Sequence, residues 1–297
     1  MNRFVKRHGG KLIRAFMTIK QKVAIRYIRA KFKILSTISK KKAAAKAFEL
    51  FCTPQYRNLK ELPPVFKTAE KLEFRFQQFT IAGYRWNKGA GSKVLIVHGF
   101  ESSAINFDGY AKAFIKKGHE VLAFDAPAHG RSSGKQVNAI IYRDLLKFIW
   151  KDYGPFHAFI GHSFGGLTAS MCLAEVEHDN DFRMVLIAPA TETLTAFDQF
   201  FRMIGVDDME VRSEFEKIIF RVGGHPMSWY SILRAIKTIK AKILWVHDED
   251  DKITPVEDAY KVKSGNYKNI RFLITKGLGH RRIYRDAGVV KAVTDFV

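Results

Sequence analysis

Cysteine is scarce in this 297-residue chain: only Cys52 and Cys172 occur, far apart in sequence. Two such residues make neither a disulfide framework nor a metal-ligand spacing, which fits a reduced, cytoplasmic setting. Cys172 falls on a helix-compatible stretch, where a small buried apolar residue is its expected role. Long hydrophobic runs are also missing. No stretch approaches the roughly 20 apolar residues that span a bilayer, and no block has the make-up of a secretory signal. Clustered His/Cys ligands and a glycine-rich phosphate loop are absent, so no metal, nucleotide or flavin cofactor is expected. Acid is nearly lacking at one end. Residues 1–60 hold 17 Lys and Arg against the single acid Glu49, and thereby carry +16 of the net +21. The basicity belongs to an N-terminal extension, and the remaining 237 residues carry only +5.

What the extension does have is helical periodicity. From Lys11 to Ser39, apolar residues recur at Leu12, Phe16, Ile19, Val23 and Tyr27 and, less regularly, at Ile34, Leu35 and Ile38. Spacings of three and four predict a helix with one apolar stripe and a cationic remainder. Three uses are open to it: packing on the body or plain solvation, lying on an anionic membrane surface through residues 1–40, and nonspecific contact with nucleic acid. The membrane reading would make the protein peripheral at the inner membrane surface. Nucleic acid is the weakest of the three, since no reading motif accompanies the charge. Pro54 and Pro63-Pro64 punctuate the connection, so the extension is expected over 1–62 and a folded body over 63–297.

In the body, Leu72 to Phe79 and Thr80 to Trp86 read as strands, followed by a turn at residues 87–92. Lys93 to Val97 is a continuous apolar run of the kind a parallel sheet covered on both faces requires. Further strands follow at Glu120 to Phe124, Phe156 to Ile160, Met184 to Ala188, Lys242 to Val246 and Ile270 to Ile274. Helical stretches separate them, at Ser102 to Lys117, Lys135 to Lys151, Leu167 to Val176 and after Pro255. That alternation predicts an α/β fold with a doubly wound, mostly parallel sheet. The interval from Pro189 to Lys240 breaks the rhythm. It is too long for one crossover and rich in aromatics (Phe197, Phe200, Phe201, Phe215, Phe220, Trp229, Tyr230), so a helical cap is expected over about 190–240.

The run Phe156 to Ile160 leads into Gly161-His162-Ser163-Phe164-Gly165-Gly166, a G-x-S-x-G between strand and helix. In that context the serine sits on a tight, strained turn, and Gly161 and Gly165 remove side chains that would strike the neighbouring elements. A serine hydroxyl needs an adjacent base to become a nucleophile, and the base needs an orienting group. Imidazole titrates near neutrality, and His280, on a glycine-loosened loop after the last strand, is the candidate base. The acid is expected among Asp248, Glu249, Asp250 and Asp251. Asp251 is favoured as the residue just ahead of Thr254-Pro255, with Asp250 and Asp248 as alternatives and Glu192 a more distant one. Donors for an oxyanion are expected from the backbone N–H groups of Phe100, in His98-Gly99-Phe100, and of Phe164. His98 is expected to brace its loop.

Taken in order, His98-Gly99-Phe100, Asp125-Ala126-Pro127-Ala128-His129-Gly130-Arg131-Ser132, the G-H-S-F-G-G turn, Asp251-x-x-Thr254-Pro255 and Gly277-x-Gly279-His280 resemble the α/β-hydrolase superfamily from about Leu72 onward. The resemblance implies an eight-stranded sheet, a helical cap and a Ser163–Asp251–His280 triad. It also makes Asp125, His129 and Arg131 organisers of their loop, and Ala128 stands where the family usually has glycine. The implied activity is that of a serine hydrolase, cleaving an acyl ester, thioester or amide of a small or lipid-like substrate. Acyl transfer, carbon–carbon hydrolysis or perhydrolysis with the same triad is the alternative, and a noncatalytic binding protein on this scaffold comes after it. The extension has no counterpart in the resemblance.

Overall fold

The computed structural model describes residues 19–297, with side chains from Val23 onward. Leu12, Phe16 and the side chain of Ile19, which belong to the expected N-terminal stripe, lie outside that range. The chain divides into two compact units, residues up to Phe48 with Phe197–Ile218, and Glu49–Ala196 with Ile219–Val297.

The first unit is helical. Helix α1 (Ile19–Ile38) gives way at Ser39 to α2 (Lys40–Phe51), where the Ser39 hydroxyl accepts from the Lys42 amide in the manner of an N-cap. The expectation of one apolar stripe is corrected here. Val23, Tyr27, Ile34 and Ile38 are exposed, whereas Phe32 is buried and Ile25, Ile28 and Leu35 are half-buried. The helix thus has a second apolar face, and that is the one that packs. Arg29 fixes it by donating to the carbonyls of Arg202 and Met203. Those carbonyls belong to α7 (Thr193–Ile204), which together with α8 (Met209–Gly223) lies between two strands of the sheet in sequence. Phe197, Phe201 and Phe215 are fully buried with ring centroids 4.4–5.3 Å apart, and Phe48 meets Phe215 edge-on at 5.7 Å. Arg212 lies over Phe197 at 4.7 Å and pairs with Asp198. Most of the aromatic richness seen in sequence is therefore the core of this unit; Phe220 remains exposed.

The second unit is a single eight-stranded sheet: β1 (Glu70–Phe76), β2 (Phe79–Trp86), β3 (Lys93–Val97), β4 (Glu120–Phe124), β5 (Ala158–His162), β6 (Arg183–Ile187), β7 (Lys242–Asp248) and β8 (Ile270–Thr275). Their order is β1-β2-β4-β3-β5-β6-β7-β8, with β2 antiparallel to both neighbours and every other pairing parallel. Helices fill the crossovers: α3 (Pro64–Lys67) precedes β1, then come α4 (Asp108–Lys116), α5 (Ala139–Tyr153), α6 (Phe164–Leu173), α9 (Ile232–Ala235), α10 (Val256–Lys263), α11 (Gly279–Arg282) and α12 (Ala287–Phe296). β3 to β7 read as unbroken apolar runs because both of their faces are buried.

Three boundaries differ from expectation for local reasons. The expected strand ending at Phe79 stops at Phe76, because Gln77 turns the chain with φ 51°. Helix α5 starts at Ala139, since Asn138 caps it by accepting from the Ile141 amide at 2.9 Å. Helix α6 begins at Phe164, immediately after the serine, and its residues Gly165–Leu173 are all buried. Both cysteines are buried thiols, and burial pushes that of Cys52 up to about 12. Residues 49–62 belong to this unit: Asn58 is buried and donates to Ser103, and Arg57 donates to the carbonyls of Ala128, Ser132 and Gly134.

Candidate active site

Strand β5 is central in the sheet, and the chain must reverse sharply from it into α6. Ser163 occupies the turn with φ 54° and ψ −123°, a conformation that costs a non-glycine residue on the order of 1–3 kcal/mol. The glycines around it permit that turn. A Cβ on Gly165 would come within 2.4 Å of the His98 carbonyl, and one on Gly161 within 2.8 Å of Gly166 Cα. Gly99 is held just as closely, since a Cβ there would meet Ser163 Cβ at 2.9 Å. The Phe100 loop is thereby pressed against the elbow, and the rings of Phe100 and Phe164 meet edge-on at 5.8 Å. Phe164 opens α6, where the first amides have no acceptor within the helix.

The structure brings three distant side chains together at the carboxyl ends of β5, β7 and β8. His280 Nε2 lies 2.9 Å from Ser163 Oγ, and His280 Nδ1 lies 2.8 Å from Asp251 Oδ2. A carboxylate can only accept, so Nδ1 carries the proton and Nε2 is left to accept from the serine hydroxyl. Asp251 is fully enclosed, and its other oxygen accepts from the amides of Ile253 (2.8 Å) and Thr254 (2.9 Å). Burial alone would push its carboxyl up. The bond and charge of His280, with those two amides, outweigh it and hold the group below the usual carboxylate range.

The other acids have different partners. Asp248 is buried behind the loop that carries His280, where it accepts from the amides of Asp250, Leu278 and Gly279 and from the Thr275 hydroxyl, all within 3.0 Å. Burial would raise its carboxyl, but these four donors lower it. Asp250 is exposed and accepts from the Gly277 amide, and Glu192 accepts from Ser231. Asp248 therefore holds the loop in place while Asp251 meets the ring. Asp248→Ala is expected to leave buried amides unmatched and let His280 shift. A displacement of about 1 Å would lower kcat about 10²-fold, measurable by ester turnover alongside the thermal midpoint.

Two further groups, known from sequence only as members of their motifs, touch the ring. The Thr254 hydroxyl lies 2.8 Å from Asp251 Oδ2, 3.0 Å from His280 Nδ1 and 3.1 Å from the Ala188 carbonyl, tying three elements together. His162 lies beside His280 with tilted rings, centroids 4.8 Å apart, and its Nε2 lies 3.2 Å from the His280 carbonyl. Burial, reinforced by the charge of His280, drives His162 well below its ordinary value, so it stays neutral when His280 gains a proton. The only sequence signal for His162 is its place in the elbow motif.

The remaining sequence candidates form a brace behind the Phe100 loop. His98 is buried, with Nδ1 2.8 Å from the Gly99 carbonyl and Nε2 accepting from the Ala126 amide at 2.9 Å. His129 Nε2 accepts from the Glu101 amide, and Asp125 accepts from the amides of Ala104 and Arg131. Ala128, where the resembling family has glycine, adopts φ 67°, the left-handed region that explains the family preference.

This geometry can be set beside known proteins. Residues 90–206 match the serine aminopeptidase S33 family, a stretch that holds Ser163 and ends before Asp251 and His280. The structure resembles an esterase of Pyrococcus furiosus with a TM-score of 0.60 at 20% identity, over 82% of this chain and 96% of that one. It also resembles mouse α/β hydrolase domain-containing protein 10, with a TM-score of 0.56 at 17% identity over 77% and 96%. The chain has the α/β-hydrolase fold. By sequence the chain is similar to the sn-1-specific diacylglycerol lipase ABHD11 of Xenopus tropicalis, 32% identical over 115 residues. That match covers 37% of this chain and only 36% of the lipase.

The buried imidazoles of this α/β-hydrolase body make its stability depend on pH. Burial lowers His98 to about 4 and His129 to about 3, and holds His162 well below its ordinary value. Each binds a proton on unfolding once the pH falls below the ordinary histidine value, so each removes stability in acid. Asp125 opposes them: burial raises it to about 6, so it is protonated when folded and releases a proton on unfolding. His247, likewise lowered by burial, joins the three imidazoles against the single carboxyl, so unfolding takes up protons near pH 5 and stability falls as the pH drops. Urea titrations between pH 7 and 4.5 should show this fall; a flat profile would contradict it.

Proposed function

We propose that the protein is a serine hydrolase that cleaves acyl esters through an acyl-enzyme intermediate. The observation that carries this reading is the unbroken chain of contacts from Ser163 Oγ to His280 and on to Asp251. Names of similar proteins support the substrate class: the Xenopus relative is a diacylglycerol lipase, and among similar solved structures are an esterase and a thioesterase domain.

In the proposed reaction, His280 Nε2 takes the Ser163 proton as Oγ attacks the acyl carbonyl. Asp251 stays ionised and stabilises the imidazolium, and the amides of Phe100 and Phe164 receive the oxyanion. His280 then returns the proton to the departing alkoxide, leaving the acyl group on Oγ. Water, deprotonated by His280, releases the acid and restores the serine.

Turnover of p-nitrophenyl esters across acyl lengths tests the reading, with products separated in the presence and absence of an alcohol acceptor. Free acid as the main product supports hydrolysis. An ester of the added alcohol as the main product would reassign the enzyme to acyl transfer, and failure of a fluorophosphonate to label the protein would remove the serine mechanism.

A further inference from the structure

Among the described residues, helix α1 carries an exposed apolar surface. Placing its residues at 100° per residue sets Val23, Tyr27, Ile34 and Ile38 within an arc of about 60°. Their exposures are 57%, 67%, 63% and 71%. The packed residues, Ile25, Ile28, Phe32 and Leu35, occupy the opposite side. The stripe is thus not the face by which the helix joins its unit. Exposed cations border it, Lys31 on one flank and Arg26 and Lys33 on the other, and the whole helix has no acidic residue. No described helix is long and apolar enough to cross a membrane.

We infer that this face of α1 docks on an anionic lipid bilayer. An apolar stripe between cations, in a helix without acids, matches the layering of a bilayer surface: acyl chains below the headgroups, phosphates at the flanks. Lysine and arginine can keep their charges at the phosphates while their stems run along the apolar layer. The occupant is chosen by charge and apolarity together. A second copy of the chain would bring another strongly cationic segment against this one. Nucleic acid would use the cations and leave four large apolar side chains in water. Because the opposite face is tied down through Phe32 and Arg29, the stripe is presented already folded, and docking does not have to form the helix. The inference stands apart from the reading of Ser163.

The test is co-sedimentation of the full chain with vesicles of phosphatidylcholine and phosphatidylserine in equal parts, against vesicles of phosphatidylcholine alone. Wild type should bind the anionic vesicles and leave the neutral ones. Tyr27→Ser/Ile34→Ser/Ile38→Ser should reduce partitioning about 10-fold or more, and Arg26→Glu/Lys33→Glu by about 10-fold, as expected when both apolar burial and surface charge contribute. These positions are exposed, so the thermal midpoint and turnover of a water-soluble ester should be unchanged, which separates lost docking from lost folding and from any failure of the catalytic reading. Undiminished binding by the serine variant would overturn the inference, as would equal binding to neutral vesicles. So would a wild-type dimer in solution that the serine variant converts to monomer.

Discussion

Ser163→Ala is expected to abolish ester turnover, lowering kcat by about 10⁴-fold or more, and to leave the thermal midpoint close to that of wild type. The side chain removed is small, and the strained turn is supported by Gly161, Gly165 and Gly99, not by the hydroxyl. His280→Ala should cost about as much, because without Nε2 at 2.9 Å nothing receives the serine proton. The double variant is the decisive measurement. If hydroxyl and imidazole work as one proton-transfer unit, removing both should cost little more than removing either. Losses that multiply would mean the two act independently, and the proposed mechanism would fail. What activity is left should reflect the backbone donors of Phe100 and Phe164.

Asp251→Asn should lower kcat about 10³–10⁴-fold with KM nearly unchanged, and the reason lies in two amides. Ile253 and Thr254 both donate to Asp251 Oδ1. Asparagine at this position must offer its carbonyl oxygen to them, which turns its amide nitrogen toward His280. The imidazole can then only accept at Nδ1, so its proton moves to Nε2, where it faces the serine and cannot receive another. Thr254→Val provides the contrast. It removes a hydroxyl 3.0 Å from His280 Nδ1 but leaves the carboxylate, so a loss nearer 10-fold is expected. Equal losses for the two variants, by steady-state kinetics, would argue that the region is merely structural. In the wild type, the depressed carboxyl of Asp251 adds stability above the unfolded pKa. That stability is withdrawn only as the pH falls through its folded value, well below the range in which histidine titrates.

Much of this was legible from the residues alone, for identifiable reasons. β3 to β7 announce themselves because burial on both faces demands continuous apolar runs, and runs such as Lys93–Val97 are short-range signals. The elbow is equally local: Gly161, Ser163 and Gly165 must be close in sequence because the turn itself needs them together. The motif order then carried the superfamily resemblance, and the sheet order agrees with it.

Other features depend on which surface meets which. Between Asp248 and Asp251, sequence offers four neighbouring acids of similar chemistry; Asp248 meets the backbone of the His280 loop and Asp251 its imidazole, and only the folded loop separates the brace from the partner of the ring. Thr254 gains contacts from Ala188 and His280, and His162 from His280, all distant in the chain. Helix α1 gives the clearest case. From sequence its periodicity reads as one apolar stripe that includes Val23, Tyr27, Ile34, Leu35 and Ile38, with packing on the body only one of the uses open to it. The structure buries Phe32 and its neighbours instead, because Arg29 and the α7 carbonyls fix the helix by that side. The sequence by itself determined the sheet, the elbow and the concentration of charge, all written in neighbouring residues. Tertiary structure decided which carboxylate meets the imidazole and which face of α1 is left to solvent, since those depend on partners more than a hundred positions away or on the direction a turn takes in space.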